Sequence, residues 1–386
     1  MRRGPTGTFR ITRHPSEEVR SFRPFPLPPD PALDLSADLQ LLLQRAHLAV
    51  GRLDSVSALL PDTHIFLYTY VRKEALLSSQ IEGTQSSLSE LLLFELDQAE
   101  GAPLDDVVEV SNYVAALEHG LARLREGFPL SNRLIREIHA HLFARGRGSE
   151  KSPGQFRRTQ NWIGGPRPSK AHFVPPHPDD LADCMQELER FLHGHPSMLT
   201  LVKAALAHVQ FETIHPFLDG NGRVGRLLIT LLICHAGQLS QPMLYLSLFF
   251  KQHRTQYYEL LDTVRTHGDW EAWVGFFLRG IAETAEAAIE TARQLIALFG
   301  NDRQRIQAAG RKANSALRVH DALKARPVHR LQNITEATGL SFPASTAGMN
   351  LLVDLGIARE ITGKKRNRVF VYSAYLSILN EGTENL

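Results

Sequence analysis

The sequence is poor in cysteine and contains no long apolar run. Only Cys184 and Cys234 occur among 386 residues, which excludes a disulfide scaffold or a multi-cysteine zinc site and fits a reducing compartment. No segment reaches the roughly 18 apolar residues of a membrane-spanning helix. The N-terminal arginines are not followed by the apolar stretch of a signal peptide. We therefore expect a cytoplasmic protein with no membrane partner.

Neither sign of charge is in large excess overall, because the formal net charge is only +2. The balance is uneven along the chain, however. Residues 301–370 hold 13 lysines and arginines against five acidic residues, so the remainder is net negative. A basic C-terminal segment on a mildly acidic body suggests an acidic partner for that segment, and a solvated basic surface is the alternative.

Hydrophobic periodicity predicts a mainly α protein. Between two of the helices, residues 150–177 are rich in turn-forming residues and are expected to form a small hairpin or flap. Ahead of the first helix, the prolines of Pro24–Pro31 exclude helix and predict an extended arm over residues 1–34, wrapped on the body through Phe22, Phe25 and Leu27. Helices are expected over residues 37–59, 64–81, 84–96, 104–124, 130–145, 178–193, 197–212, 222–237, 246–266 and 269–298.

The pattern changes after Gly310. Helical stretches at 315–325, 331–338 and 345–355 precede two strands joined by a basic turn at 363–368, which is the order of a winged helix-turn-helix domain. We expect a domain boundary near 300–314, with hinges at the Gly300 and Gly310 segments. The sequence thus predicts three units, given by the residue ranges 1–105, 106–300 and 312–380.

The segment from His215 to Arg226 reads His-Pro-Phe-Leu-Asp-Gly-Asn-Gly-Arg-Val-Gly-Arg and joins two apolar helical stretches. It leads into a helix N-terminus, where free N–H groups and the helix dipole favour an anion. Gly220 and Gly222 allow the backbone to approach a phosphate closely. Arg223 and Arg226 add planar cations suited to phosphate oxygens.

Two further side chains of this loop can take part in chemistry. Asp219 can contribute a carboxylate to Mg²⁺, which binds one or two carboxylates together with phosphate oxygens. His215 can accept a proton near neutral pH. A base, a metal ligand and a phosphate cradle therefore lie within one short segment, although an ordinary turn after an apolar helix is the alternative.

This segment resembles the signature of the Fic family, His-Pro-Phe-x-(Asp/Glu)-Gly-Asn-Gly-Arg-x-x-Arg, at every fixed position. The resemblance extends over about residues 30–380 and implies a helical Fic fold with a β-hairpin flap and a C-terminal winged helix. It implies a protein adenylyltransferase, which moves AMP from ATP to serine, threonine or tyrosine hydroxyls. In that reading His215 is the base, Asp219 binds Mg²⁺ and Phe217 fixes the loop. The implied nucleotide-binding residues are His215, Gly220, Asn221, Gly222, Arg223, Val224, Gly225 and Arg226.

A second segment, Ser78-Ser-Gln-Ile-Glu82-Gly83, resembles the family's inhibitory motif, (Ser/Thr)-x-x-x-Glu-(Gly/Asn). Ser78 and Glu82 are four residues apart and share one helical face, and Gly83 then ends the helix. The resemblance implies that Glu82 enters the nucleotide site and pairs with Arg226, the cation that the γ-phosphate of ATP needs. A surface glutamate at a helix end is the alternative.

Residues 161–177 resemble the family's flap, which pairs with an extended piece of the target by strand addition. This places Ala171, His172, Phe173 and Val174 near the nucleotide or the target, with a plain surface hairpin as the alternative. Two neighbouring aromatic residues, Tyr257 and Tyr258, are candidates to line an adenine pocket. Each is equally well explained as a core aromatic residue.

The C-terminal unit leaves its partner open. Residues 363–368 contain four cations suited to phosphate contacts, whereas the expected recognition helix Ser345–Leu355 has no lysine or arginine. Winged helices also bind proteins, so DNA and protein partners both remain candidates. Competing functions are a DNA-binding regulator with a nucleotide-sensing body, and a Fic enzyme that removes AMP or transfers another phosphate-containing group. A homodimer is compatible with the family.

Overall fold

The computed structural model describes residues 1–14, 17–59, 63–97, 105–310, 313–364 and 366–383. Helix dominates this described part, as the sequence predicts. Its strands are β1 (Gly7–His14), β2 (Glu17–Pro24), β3 (Val328–Arg330), β4 (Ala358–Glu360) and β5 (Val369–Tyr372). Its helices are α1 (Ala37–Leu59), α2 (Thr63–Ile81), α3 (Leu88–Asp97), α4 (Asp105–Arg125), α5 (Asn132–Leu142), α6 (Pro178–His193), α7 (Thr200–Ile214), α8 (Asn221–His235), α9 (Ser247–Gln252), α10 (Arg254–His267), α11 (Trp270–Gln307), α12 (Ala313–Ala325), α13 (Leu331–Thr338), α14 (Phe342–Asp354) and α15 (Ser373–Asn380).

The centre of the molecule is the helix pair α7 and α8. Nearly every residue of α7 is buried, which fits a helix that is apolar on all sides. Trp273 of α11 is also fully buried, and its indole N–H donates to the carbonyl of Ala205 at 2.9 Å. The loop from His215 to Gly220 joins these two central helices, so the core holds both of its ends.

The N-terminal arm differs from the prediction, because it is a β-hairpin rather than an irregular extended segment. Strands β1 and β2 pair antiparallel over their full lengths. Phe22 is buried as expected, whereas Phe25 is 52% exposed. The hairpin is held by contacts that lie far away in sequence: Arg10 binds Asp179 at 2.9 Å, and the amide of Thr6 donates to the carbonyl of Arg265 at 3.0 Å.

The expected hinge at Gly300 is wrong, since α11 continues through this glycine for 38 residues to Gln307. A glycine inside a helix costs about 1 kcal/mol. Burial of Ile306 and the hydrogen bond from the Tyr372 hydroxyl to Asp302 (2.6 Å) offset that cost. The helix ends before Gly310, whose φ of 68° is left-handed. The following residues 311–312 lie outside the described part of the chain.

The C-terminal elements follow the predicted order of helices and then two antiparallel strands, β4 and β5. Prediction missed β3, which has only three residues and places β5 at the centre of a sheet ordered β3-β5-β4. The expected recognition helix begins three residues earlier, at Phe342, because the Ser341 hydroxyl caps it. Within the expected wing tip, residue 365 is not described. The winged-helix interpretation and the three-unit division remain predictions.

Across the described ranges, we find no helix that is both long and apolar enough to cross a membrane.

Candidate active site

His215 stands at the end of α7 in a left-handed conformation, with φ 50° and ψ 61°. Its Nδ1 lies 3.3 Å from the carbonyl oxygen of Glu212. Because a carbonyl only accepts, Nδ1 carries the proton and Nε2 keeps a free lone pair. Burial lowers the pKa of the imidazole to about 4, so it is neutral at physiological pH. His215 is therefore arranged to accept a proton at Nε2.

The loop after His215 is fixed by Asn221, the first residue of α8. Its side-chain oxygen accepts from the amide of Phe217, and its side-chain nitrogen donates to the carbonyl of Phe217, both at 2.8 Å. The Phe217 ring is fully buried and stacks on His139, with 3.8 Å between ring centroids. The Asn221 side chain thus holds the loop, and only its main chain remains for a phosphate.

Gly220 gives the loop its sharp entry into α8. It has a left-handed φ of 73°, and a Cβ there would come within 2.4 Å of the Phe143 ring. Helix α8 starts directly afterwards, so the amides of its first turn have no partner within the helix. Such a terminus attracts anions through its N–H groups and its dipole. The structure thus places a helix N-terminus where the sequence predicts one, and anion binding there stays a prediction.

Arg226 lies one turn further along α8 and is almost completely buried, with 2% exposure. Its Nη2 donates to Glu82 Oε1 at 2.6 Å and to the carbonyl of Ser78 at 2.9 Å, and its Nε donates to the Ser78 hydroxyl at 2.8 Å. Burial raises the pKa of Glu82, but the charge of Arg226 outweighs it and holds that pKa below its ordinary value. The structure brings Ser78, Glu82 and Arg226 together.

The Glu82 carboxylate also fills the space beside Gly222. A Cβ on Gly222 would lie 2.2 Å from Glu82 Oε1, so only glycine fits against the carboxylate in this arrangement. Gly83 follows with φ 102°, a conformation that favours glycine, and turns the chain away from the site. Glu82 therefore fills space next to the α8 N-terminus and also neutralises the charge of Arg226.

Arg223, the other motif arginine, has a partner that the sequence did not reveal. Its Nη1 donates to Glu109 of α4 at 3.1 Å, and Glu109 also binds Arg147 at 2.6 Å. The guanidinium lies 4.9 Å from the Phe143 ring centroid. In this arrangement both motif arginines are bound to carboxylates, so an incoming phosphate has to compete for each of them.

Asp219 is the predicted metal ligand, and 36% of its side chain is exposed. It binds Lys151 at 2.7 Å and lies 3.6 Å from Arg223. Burial raises the pKa of Asp219, but Lys151 and Arg223 outweigh this and lower it. Within the residues that the structure describes, no group of three His, Cys, Asp or Glu side chains is placed to hold a metal ion. Asp219 thus offers an accessible carboxylate at this point.

The tyrosine pair separates into a core residue and a surface residue. Tyr257 is 1% exposed, and its hydroxyl donates to Nε2 of His208 at 2.8 Å, since Nδ1 of His208 donates to the Gly225 carbonyl. Tyr258 is 42% exposed. This burial contradicts the expectation that Tyr257 lines an adenine pocket, and Tyr258 stays a candidate.

Two residues of α8 expected to bind nucleotide also point into the core. Val224 is 2% exposed, and a Cβ on Gly225 would come within 2.3 Å of Glu212 Oε1. Gly225 is therefore required for close packing of α8 on α7. The Val224 side chain and the α-carbon of Gly225 thus face the core, and contact of their main chain with the nucleotide stays a prediction.

The expected flap hairpin is reduced to one antiparallel bridge between Ile163 and Phe173. Glycines and prolines between them prevent a longer ladder, and a 3-10 turn spans Pro168–Lys170. Phe173 and Val174 are buried, whereas His172 is exposed, as 66% of its side chain is accessible. Ala171 follows the 3-10 turn and lines a cavity of about 380 Å³ between flap, N-terminal hairpin and α10.

Three side chains that sequence reasoning missed bind the loop from His215 to Gly220 from outside. His139 contacts the Asp219 carbonyl at 3.1 Å, Asn161 donates to the Phe217 carbonyl at 3.0 Å, and Arg157 donates to the His215 carbonyl at 3.0 Å. All three bind main-chain oxygen atoms. Such contacts leave no residue pattern in the loop itself, so no local signal pointed to them.

Comparisons with known proteins match the region of the chain that contains this site. Residues 40–122 match the family model for the Fic/DOC family N-terminal region, and residues 129–233 match the Fic/DOC family model. Proteins named protein adenylyltransferase Fic from Drosophila yakuba and Drosophila melanogaster are 34% and 33% identical over 214 residues, which is 54% of this chain. The match covers only 39% of the length of either relative.

Solved structures share the fold. A Fic family protein from Desulfovibrio desulfuricans aligns with a TM-score of 0.58 at 20% identity, covering 88% of this chain and 97% of that one. A Fic domain containing signaling protein from Bacteroides thetaiotaomicron aligns with a TM-score of 0.50 at 19% identity, covering 64% of this chain and 97% of that one. These structures agree in fold with the two matched family models, which assign a Fic/DOC family N-terminal region to residues 40–122 and a Fic/DOC family domain to residues 129–233.

Proposed function

We propose that this protein transfers AMP from ATP to serine, threonine or tyrosine hydroxyls of target proteins, and to itself. The observation that carries the proposal is the neutral His215, with its free Nε2 one short loop away from the anion-binding start of α8. A base beside a phosphate site is the minimum that nucleotidyl transfer requires. The relatives named protein adenylyltransferase, which match 54% of this chain, support the same reaction.

In the proposed reaction, Nε2 of His215 takes the proton of the acceptor hydroxyl. The hydroxyl oxygen then forms a bond to the α-phosphorus, the bond from that phosphorus to the bridging oxygen breaks, and pyrophosphate leaves. The amides at the start of α8 stabilise negative charge on the phosphates. Arg223 and Arg226 bind the outer phosphates once they exchange their present carboxylate partners for phosphate oxygens.

A Mg²⁺ ion fits this site only together with the nucleotide. Asp219 supplies one hard, accessible oxygen ligand, and Mg²⁺ commonly binds one or two carboxylates plus substrate phosphates. Bound there, the ion would neutralise phosphate charge. Lys151 holds the same carboxylate and has to move aside, which its 45% exposure allows.

We further propose that Glu82 inhibits the enzyme at rest. The support is the 2.6 Å contact with Arg226 and the filling of the space beside Gly222. ATP cannot place its γ-phosphate on Arg226 while Glu82 holds that cation. Low basal activity is the expected consequence.

Incubation of the Glu82→Gly variant with ATP and cell lysate tests the proposed reaction. Mass spectrometry should find a whole AMP added to hydroxyl side chains, and the additional His215→Ala change should abolish it. Addition of a phosphoryl group alone would indicate another transfer reaction. Loss of AMP from pre-modified protein would indicate the de-AMPylating alternative, and absence of any turnover would favour a nucleotide sensor.

The C-terminal unit is proposed to bind a partner that acts on the inhibitory helix α2. Two main-chain oxygens after α15 contact that helix: Lys73 donates to the Glu381 carbonyl at 2.7 Å and Gln80 to the Thr383 carbonyl at 3.1 Å. Salt-dependent gel shifts test duplex DNA as that partner, and no shift at about 50 mM salt would leave a protein partner. A cytoplasmic location and a homodimer stay predictions, the latter measurable by light scattering.

A further inference from the structure

Arg157 is a buried cation whose hydrogen-bond partners, among the described residues, are main-chain carbonyls. It is 4% exposed. Its Nε donates to the His215 carbonyl at 3.0 Å, its Nη2 to Pro176 at 2.6 Å and to Ile214 at 3.5 Å, and its Nη1 to Thr159 at 3.2 Å. In the described part of the chain no carboxylate forms an ion pair with it. A buried charge without a counter-ion is costly, so its hydrogen bonds to the carbonyls must compensate.

These bonds act on the residue that carries the proposed base. His215 has a φ of 50°, which a non-glycine residue adopts only at a cost, so the surroundings must hold it there. Its carbonyl accepts from Arg157 at 3.0 Å and from Asn161 at 3.4 Å. The main-chain amide of Arg157 also donates to the Pro216 carbonyl at 2.9 Å. Three successive carbonyls, of residues 214, 215 and 216, are thus bound by one arginine.

The same guanidinium reaches the end of the flap. Nη2 donates to the Pro176 carbonyl at 2.6 Å, and the neighbouring Gln160 donates to the Pro175 carbonyl at 3.0 Å. One planar side chain therefore connects the catalytic histidine with the segment that is expected to carry the target. Arginine suits this task, because its fixed fork of five donors can serve several acceptors in one plane.

We propose that Arg157 is a positioning residue for AMP transfer, which holds the His215 main chain and the flap end in register so that Nε2 faces the acceptor hydroxyl. This inference rests on the proposed function. Electrostatics act in the same direction. Burial lowers the pKa of His215, and Arg157 and Arg265 lower it further, whereas the Glu212 carbonyl and Glu82 raise it.

The kinetic test uses the full-length chain with Glu82→Gly, which provides measurable turnover. In that background we expect Arg157→Ala to lower kcat for AMP transfer by about 100-fold, the usual consequence of a small misplacement of a catalytic group. KM for ATP should change little, because Arg157 makes no contact with the α8 phosphate site. Millimolar guanidinium should restore part of kcat by occupying the vacated space, which a general loss of folding would not allow.

Two further variants separate positioning from charge and from stability. Arg157→Lys keeps the charge but lacks the fork, so full recovery of kcat by lysine would overturn the proposal. Arg3→Ala is the control, because the Arg3 side chain is 4% exposed and also donates to carbonyls, those of Pro31 and Ala32, besides its ion pair with Glu271, and none of its described hydrogen bonds involves His215. Its kcat should equal that of the parent.

A spectroscopic measurement tests the same inference without turnover. Nitrogen NMR of histidine-labelled protein should show His215 as the Nδ1–H tautomer in the parent and a mixture of tautomers in Arg157→Ala. An unchanged tautomer together with a kcat within twofold of the parent would overturn the positioning role. If no variant transfers AMP, the proposed function fails, while the tautomer result still decides whether Arg157 orients His215.

Discussion

Removal of the Glu82 carboxylate is the perturbation with the clearest expected magnitude. The Glu82 carboxylate accepts the 2.6 Å hydrogen bond from Arg226 Nη2. Glu82→Gly removes this charge and also opens the space beside Gly222. We expect AMP transfer to increase, because Arg226 and that space both become accessible to the outer phosphates of ATP.

The size of the increase follows from the strength of the ion pair. Two unit charges about 4 Å apart near a protein surface attract by about 4 kcal/mol. Because 36% of the Glu82 side chain is exposed, solvent screens part of this energy. We take about 2.7 kcal/mol, which corresponds to about a 100-fold change in the fraction of molecules with Arg226 free.

A conservative variant separates the effect of the Glu82 charge from that of its hydrogen bond. Glu82→Gln keeps an oxygen acceptor but loses the charge, and a neutral hydrogen bond is about half as strong as a charge-assisted one. We therefore expect about a tenfold increase for glutamine. The matched control is Glu286→Gln, since Glu286 of α11 pairs with Arg45 of α1 at 2.8 Å, outside α2 and the loop from His215 to Gly220, and should leave the rate unchanged.

The assay is the initial rate of incorporation from ATP labelled in the α-phosphate, measured on the protein itself and on lysate proteins. The nucleotide-free Glu82→Gly variant should also unfold at a lower temperature, because Arg226 loses its counter-ion. ATP should then stabilise this variant more than the wild type. Equal incorporation by wild type, Glu82→Gln and Glu82→Gly would refute the inhibitory role of the pair.

Three other outcomes follow from the same site. Ser78→Ala removes the hydroxyl that accepts from Arg226 Nε. We expect urea denaturation to show a loss of about 1–3 kcal/mol in the free energy of unfolding. We expect labelling with ATP to show a smaller increase in AMP transfer than with Glu82→Gly. The pKa of His215 lies at about 4, below its ordinary value near 6.5, so the unfolded chain binds a proton first as pH falls. The contribution of His215 to the free energy of unfolding should thus be present above pH 6.5 and decline towards pH 4. His215→Ala should lack this contribution to the slope of unfolding free energy against pH. An equal slope in both proteins would contradict the lowered pKa of His215. Lys151→Ala should lower the Mg²⁺ concentration that ATP binding needs, as measured by calorimetry, because Lys151 no longer holds Asp219. Asp219→Ala should remove the dependence of ATP binding on Mg²⁺. An unchanged dependence in Asp219→Ala would exclude Asp219 as a ligand.

Several elements of the fold were predictable because their determinants are local. Apolar residues at helical spacing predicted the bounds of α1 and α6 as they are observed, Ala37–Leu59 and Pro178–His193. The N-terminal hairpin was missed for the opposite reason. Its strands are rich in arginine and gain stability from partners such as Asp179, which is 169 residues from Arg10.

The sequence by itself nominated the candidate residues of the site. The loop from His215 to Arg226 is contiguous, so the base, the carboxylate, the glycines and the arginines appear in one reading, and the resemblance of Ser78–Gly83 to an inhibitory motif linked Glu82 to Arg226 across 144 residues. Residue type and spacing are enough to nominate candidates within one loop, whereas the pairing of Glu82 with Arg226 followed from the resemblance to the family.

Only the tertiary structure decided which of these residues are accessible and what holds them. Tyr257 and Tyr258 are neighbours in sequence, but packing against Trp273 and Phe250 encloses only the first. Glu109 reaches Arg223 across 114 residues, and Arg157 reaches His215 across 58. Contacts between distant segments, and those to main-chain carbonyls above all, leave no periodicity or motif in the chain, so they emerge only when the helices pack.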